Sequence, residues 1–142
     1  MFKMFFGRNK RNKYNASKSE MDGYVFDSKK EKARYMELKA AIEAGVITDL
    51  QRQVRYELEP PVVEEYEEQL KTKVVRKTRT VQRGIYYTCD FQYVKDGKLV
   101  VEDVKSSPAQ AKLDKAYQIR KKLLFARYGI KVYEVFNAKD DI

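Results

Sequence analysis

Ile85-Tyr86-Tyr87-Thr88-Cys89-Asp90-Phe91-Gln92-Tyr93-Val94 is rich in aromatic and β-branched residues. Asp96-Gly97 follows as a turn pair, and Leu99-Val100-Val101-Glu102-Asp103-Val104 reads as a second strand. Residues 85–105 therefore predict an antiparallel hairpin. With the turn centred on Asp96-Gly97, Lys95 lies opposite Lys98, Phe91 opposite Glu102, Asp90 opposite Asp103, and Thr88 opposite Lys105. Cross-strand partners project to the same side of a sheet. Two carboxylates, Asp90 and Asp103, are thus set against each other, with Lys105 two residues along on the same face. Like charges placed opposite one another destabilise a sheet. A cation between them removes that clash, and a few hard oxygens completed by water are how Mg²⁺ is held. On the other face Ile85, Tyr87, Cys89, Phe91 and Tyr93 meet Val100, Glu102 and Val104, which reads as core, with Cys89 a small buried apolar side chain. The plainer alternative is a surface hairpin with scattered charges. The acid-x-Lys triplet by itself is weak in so charged a chain, recurring at Glu37-Leu38-Lys39 and Asp96-Gly97-Lys98. Only Asp103-Val104-Lys105 sits on an apolar strand opposite a second acid.

Upstream, Ser28-Lys29-Lys30-Glu31 is a capping-box pattern that opens a helix. Glu31, Tyr35, Leu38 and Ile42 share one face of it, and Gly45 with Val46 ends it as a Schellman motif. Residues 49–58 predict a strand, with Val54, Tyr56 and Leu58 on one face and Gln51, Gln53 and Arg55 on the other. The 59–83 stretch is a charged excursion, with glutamates up to Glu68 and then Lys71, Lys73, Arg76, Lys77, Arg79 and Arg83. It is either a hairpin with paired charges or a basic ribbon that touches DNA. Downstream, Pro108 opens a helix over 109–128 that ends before Gly129, and Ile130 to Phe136 is a last strand. In that helix Leu113, Tyr117 and Leu124 pack inward. Lys112, Lys115 and Lys122 line one side, either along a phosphate backbone or as a solvated face. The order α-β-(ribbon)-β-β-α-β describes an α/β sandwich with a mixed sheet.

Composition narrows the chemistry. The 142 residues fit one domain, and 30 Lys+Arg against 21 Asp+Glu give a formal charge of +9, which favours polyanionic partners such as nucleic acid. There is no histidine and one cysteine, Cys89. Ser-His-Asp and Cys-His nucleophiles, a His/Cys zinc site and an intrachain disulfide are all excluded, which fits a reducing cytoplasm. Catalysis has to rest on carboxylates, lysines, tyrosines and a hard metal. Residues 1–24 read as a basic flexible arm in which Arg8, Lys10, Arg11 and Lys13 lie on phosphates, or as a tail with no role. Met1 to Phe6 is too short for a signal peptide, and no segment is long enough to span a membrane.

Four stretches together carry a resemblance. They are Phe26-Asp27-Ser28-Lys29-Lys30-Glu31, Tyr35 with Glu37-Leu38, Tyr87-Thr88-Cys89-Asp90-Phe91, and Val101-Glu102-Asp103-Val104-Lys105. The sequence resembles small phage proteins of the PD-(D/E)xK nuclease superfamily, near phage Holliday-junction resolvases, over about residues 10–136, least well at 59–83. Two positions depart from the pattern: Ser106 stands where Gly is expected, and Cys89 stands where the signature often has Pro. The resemblance implies a restriction-endonuclease-like core (α-β-β-β-α-β, a mixed central sheet flanked by helices) as one nuclease domain over 25–138. It also implies a phage-encoded enzyme in the bacterial host cytoplasm that hydrolyses DNA phosphodiesters, selective for branched DNA in recombination or replication, and working as a homodimer. Asp90 and Asp103 then bind Mg²⁺ or Mn²⁺, and Lys105 orients water and stabilises charge at phosphorus. Glu31 is a further ligand, or only the helix cap. Gln53 lines the cleft, or is an exposed strand residue. The alternatives are an enzyme that nicks duplex DNA in packaging, transposition or repair, and a nucleic-acid-binding protein that does not cut.

Overall fold

The computed structural model describes residues 19–142, so Arg8, Lys10, Arg11 and Lys13 lie outside the described residues. The described chain is a sheet-dominated mixed α/β structure with few helices. Ser19–Met21 (β1) pairs with Tyr24–Phe26 (β2), so the folded part begins before residue 25. The helix Lys29–Glu43 (α1) is capped by Ser28, whose Oγ accepts from the Glu31 N–H at 3.1 Å. It closes as a full Schellman motif: Gly45 (φ +74°) donates to Ile42 O and Val46 to Ala41 O. Tyr35, Leu38 and Ala41 face inward. Ile42 does not, because its position turns toward solvent.

The central sheet has the order β10-β9-β8-β3: Val132–Val135 (β10), Lys98–Val104 (β9), Phe91–Lys95 (β8) and Thr48–Arg52 (β3). β3, β8 and β9 are antiparallel, and β10 runs parallel to β9, which makes the sheet mixed. The expected hairpin is present, with Asp96 and Gly97 both at positive φ, and Lys95 opposite Lys98 and Phe91 opposite Glu102.

The ladder then breaks. The strand expected over 85–94 is two, Ile85–Thr88 (β7) and β8. The strand expected over 49–58 is also two, β3 and Arg55–Glu59 (β4). β4 and β7 form a second two-stranded sheet in which Thr88 pairs with Arg55, not with Lys105. Both strands bend at the same level: the Gln53 N–H donates to Asp90 O and the Cys89 N–H to Val54 O, with Gln53 at φ +52°.

The bend divides the core. Phe26, Tyr35, Leu38, Ile47, Phe91 and Tyr93 pack between the central sheet and α1. Leu58, Tyr87, Cys89, Val101, Tyr117 and Leu124 pack on the other side, under Lys115–Tyr128 (α3). The helix expected over 109–128 is interrupted. Pro108–Leu113 (α2) stops at Asp114, whose carboxylate caps α3 by accepting from the Tyr117 N–H, and this break leaves Leu113 exposed.

The 59–83 excursion is a hairpin of its own, Val62–Gln69 (β5) with Val74–Gln82 (β6). Glu64 pairs with Arg79 and Glu68 with Lys77 across it. The described residues therefore hold ten strands and three helices rather than the expected α-β-β-β-α-β order. No described helix is long and apolar enough to cross a membrane.

Candidate active site

The bend at Gln53 and Asp90 opens a cleft of about 1050 Å³ between the start of α1, the bend itself, the end of β9 and α2–α3. Glu31, Gln53, Asp90, Asp103 and Lys105 all line it, brought together from four separate stretches of chain.

Each is held by a local cause. Glu31 is buried at the third position of α1, where the Ser28 cap fixes the first turn. Its carboxylate lies 3.6 Å from the Arg52 guanidinium and accepts from Gln53 Nε2 at 3.3 Å. The cap uses the Glu31 backbone N–H, and the Glu31 side chain lines the cleft. Burial raises the Glu31 pKa, Asp27 adds to the rise, and Arg52 opposes it.

Asp90 stands in the break between β7 and β8, with its N–H donating to Glu102 O and its carbonyl accepting from the Gln53 N–H. Its Oδ2 accepts the Val104 N–H at 2.8 Å. Burial lifts its pKa well above the ordinary carboxylate range, and the neighbouring Asp103 and then Glu31 lift it further. Asp90 and Asp103 thus lie on one side, as the hairpin register predicts, although Asp90 is reached through the bend and not through a paired strand.

Asp103 is buried near the end of β9. Its Oδ2 accepts from Tyr87 Oη at 2.6 Å and lies 3.6 Å from Lys105 Nζ. Tyr87 therefore faces the cleft side and not the opposite face, because β7 belongs to the second sheet. Lys105 Nζ sits 3.7 Å from the centroid of the Tyr117 ring. Tyr117 Oη in turn donates to Glu134, which also pairs with Lys121. Lys30 reaches across from α1 and donates to Ser106 O at 2.9 Å, tying the helix to the loop after Lys105.

Glu102 points away, as its position predicts. It is fully buried, receives Arg34 on both oxygens, and accepts from Tyr93 Oη at 2.6 Å. Arg34 spends its remaining N–H groups on the carbonyls of Ala138, Asp140 and Asp141. The segment after residue 138 is thus part of the fold. Cys89 is buried among apolar neighbours, and burial pushes its thiol up to about 12.

Of the expected DNA-contacting residues among those described, Gln53 lines the cleft, whereas Lys112, Lys115 and Lys122 are exposed and do not; the cations that line it are Lys30, Lys105 and Arg120. Tyr87, Tyr117, Lys30, Arg34 and Arg52 support the site and were not singled out by sequence for that purpose. An unbroken alternation from Tyr87 to Tyr93 hides the change of side at Asp90.

Among the described residues, no group of three or more Asp, Glu, Cys or His side chains converges as a cage for a metal ion. The acids that act on one another are Asp90 and Asp103, with Glu31 a weaker influence on Asp90, and all are carboxylate oxygen donors. Their mutual repulsion is what a hard divalent cation relieves.

A mixed α/β chain with an acid-lined cleft at a bent sheet is the class these features define. The family described as protein of unknown function (DUF1064) matches residues 11–138, and the chain belongs to it. Comparisons with curated proteins and with solved structures give no match.

Proposed function

We propose that the chain is a metal-dependent endonuclease that hydrolyses DNA phosphodiester bonds, with a preference for branched DNA. The observation that carries this reading is the cleft itself: Glu31, Asp90, Asp103 and Lys105 meet there from α1, the bend and the end of β9. A fold does not gather buried like charges for stability, so their collection in a cleft points to chemistry. The elements around the cleft come in the chain order α1, β3, β8, β9, α3, β10. The PD-(D/E)xK reading takes these six as its core and treats β1–β2, β4–β7, β5–β6 and α2 as additions to it.

In this reading Asp90 and Asp103 hold Mg²⁺ or Mn²⁺, with Glu31 as the third carboxylate. The bound ion supplies Lewis-acid charge for the phosphoryl oxygens. Lys105, seated between Asp103 and the Tyr117 ring, places a positive charge where negative charge grows at phosphorus. Arg120 and Lys30 lie in the cleft wall as phosphate contacts. The branched-DNA preference, the phage setting and a homodimer come from the resemblance.

The test is incubation with supercoiled plasmid and with a synthetic four-way junction, in Mg²⁺ and in EDTA. Cutting in Mg²⁺ only, faster on the junction than on linear duplex, is the expected result. No cutting of any DNA in Mg²⁺ or Mn²⁺ overturns the enzyme reading, and preference for linear duplex overturns the branched-DNA part.

A further inference from the structure

The acid cluster makes no use of the solvent side of the β4–β7 sheet, yet that side reaches the cleft. Arg55 and Glu57 from β4 lie on it with Tyr86 and Thr88 from β7, because Arg55 pairs with Thr88 and Glu57 with Tyr86. Tyr86 and Thr88 line the cleft.

A stack dominates this face. The Arg55 guanidinium carbon lies 3.6 Å from the centroid of the Tyr86 ring, close enough for the flat cation to lie on the flat ring. The ring has a fixed seat. Gly84 carries no side chain, and a Cβ there would fall 2.8 Å from Tyr86 Oη and 3.0 Å from Tyr86 Cε2. The ring therefore rests across the Gly84 backbone. Tyr86 is half-buried, and Arg55 above it is exposed. Glu57 lies two residues from Arg55 on the same face, but among the described residues neither makes an ion pair.

Two kinds of ligand suit an exposed guanidinium in a DNA-binding cleft. Phosphate uses its N–H edge, and a nucleobase uses its flat face. Glu57 separates the two. A phosphate at Arg55 brings a second negative charge beside the Glu57 carboxylate. A neutral base meets no such repulsion, and the exocyclic amine of cytosine or adenine can donate to that carboxylate. A base inside a duplex is already stacked on its neighbours, so the base that can lie on a protein stack is an unpaired one. Tyr86 stands four residues before Asp90, at most about 14 Å along the chain. One bound strand can therefore place a base here and a phosphodiester at the acids.

We infer that the Arg55–Tyr86 stack is a platform for an unpaired nucleobase beside the cleft. Resting on the DNA reading above, the platform gives an unpaired base at a branch a place to bind, where that reading draws its preference for branches from resemblance alone.

Binding in EDTA tests it, with the full chain and fluorescence anisotropy. Three labelled DNAs are compared: a duplex with a short single-stranded deoxyadenosine flap, the same DNA with every flap base removed to leave abasic sugar-phosphate, and the same flap paired to a complement. The wild type is expected to bind the adenine flap about tenfold or more tightly than the abasic or the paired one, the effect of one base stack. Tyr86→Leu and Arg55→Lys are each expected to bring the adenine-to-abasic ratio close to one. Arg55→Lys keeps the charge and loses the plane. Circular dichroism of both variants is expected to match the wild type, because the two side chains stand on the solvent side, and the comparison of flaps by the wild type stands without either variant. Equal binding of adenine and abasic flaps by the wild type overturns the inference and leaves phosphate contact only. So does equal binding of the paired tract, a ratio that either folded variant leaves unchanged, or a chain that binds none of the three. Cutting in Mg²⁺ is read separately. A chain that shows the base-dependent ratio and cuts nothing keeps the platform and loses the enzyme reading; one that cuts DNA after equal binding of the two flaps keeps the enzyme and loses the platform.

Discussion

Asp90→Asn is expected to stabilise the metal-free protein, and to do so more as pH rises. Asp90 is pressed against Asp103 in a buried site, and its pKa is raised well above the ordinary value of 3.8 by burial and then by that neighbour. Between 3.8 and the raised value the native state holds a proton that the unfolded chain has released. Stability therefore falls as pH climbs through that window. Asparagine removes the titration. Its carbonyl can still accept the Val104 N–H, now 2.8 Å from Asp90 Oδ2, and its amide can donate to Asp103 in place of the shared proton. At pH near 4 the aspartate is protonated in the native state, so the two proteins differ little. At pH 8 in EDTA the asparagine spares the cost of a poorly matched buried charge, on the order of 1–3 kcal/mol. For a chain of this size that is a rise in melting temperature of about 3–9 °C. Thermal melts of both proteins at the two pH values, followed by circular dichroism, give the comparison. A gain that is the same at both pH values, or a loss at pH 8, refutes the claim that Asp90 is held in a charge-hostile site.

Mg²⁺ at pH 8 should raise the melting temperature of the wild type and leave Asp90→Asn nearly unmoved, because the ion stabilises only a native state that binds it; scanning fluorimetry across a Mg²⁺ titration reads this. Arg34→Met is expected to cost about 3–5 kcal/mol in chemical denaturation, since it leaves the fully buried Glu102 without its cation; a loss below about 1 kcal/mol contradicts the pairing. Arg79→Ala on the exposed ribbon should change stability by less than about 1 kcal/mol, because its ion pair with Glu64 is solvated. Gly84→Ala should destabilise, because an added Cβ would come within 2.8 Å of the Glu59 carbonyl oxygen, a backbone atom that cannot swing aside; an unchanged melting curve contradicts this.

Much of the site was legible because its parts are local. The Asp96-Gly97 turn fixes the register that puts Phe91 opposite Glu102, and from it follow the sides of Asp103, Lys105 and Glu102. Ser28 fixes the start of α1, and with it Glu31. The bend was not legible. Val54, Tyr56 and Leu58 continue the even-numbered spacing of Leu50, and Tyr87 and Cys89 continue that of Phe91 and Tyr93. Period-two alternation is therefore unbroken while the core side changes. The division is made by backbone conformation at Gln53 and Asp90, which side-chain polarity does not encode. The break at Asp114 was hidden in a different way, because the aspartate that ends α2 also caps α3 and reads as one more polar residue on a long helix. Tyr87, Tyr117 and Arg34 looked like core or surface residues because their roles come from partners far away in sequence.

The most direct measurement of the central claim separates binding from cutting on one labelled four-way junction. Wild type and Asp103→Asn are each assayed for binding by gel shift in Ca²⁺ and for strand cleavage in Mg²⁺. The account predicts that both proteins bind the junction about equally and that only the wild type cuts it. Equal cutting by Asp103→Asn, or binding without cutting by the wild type, contradicts it.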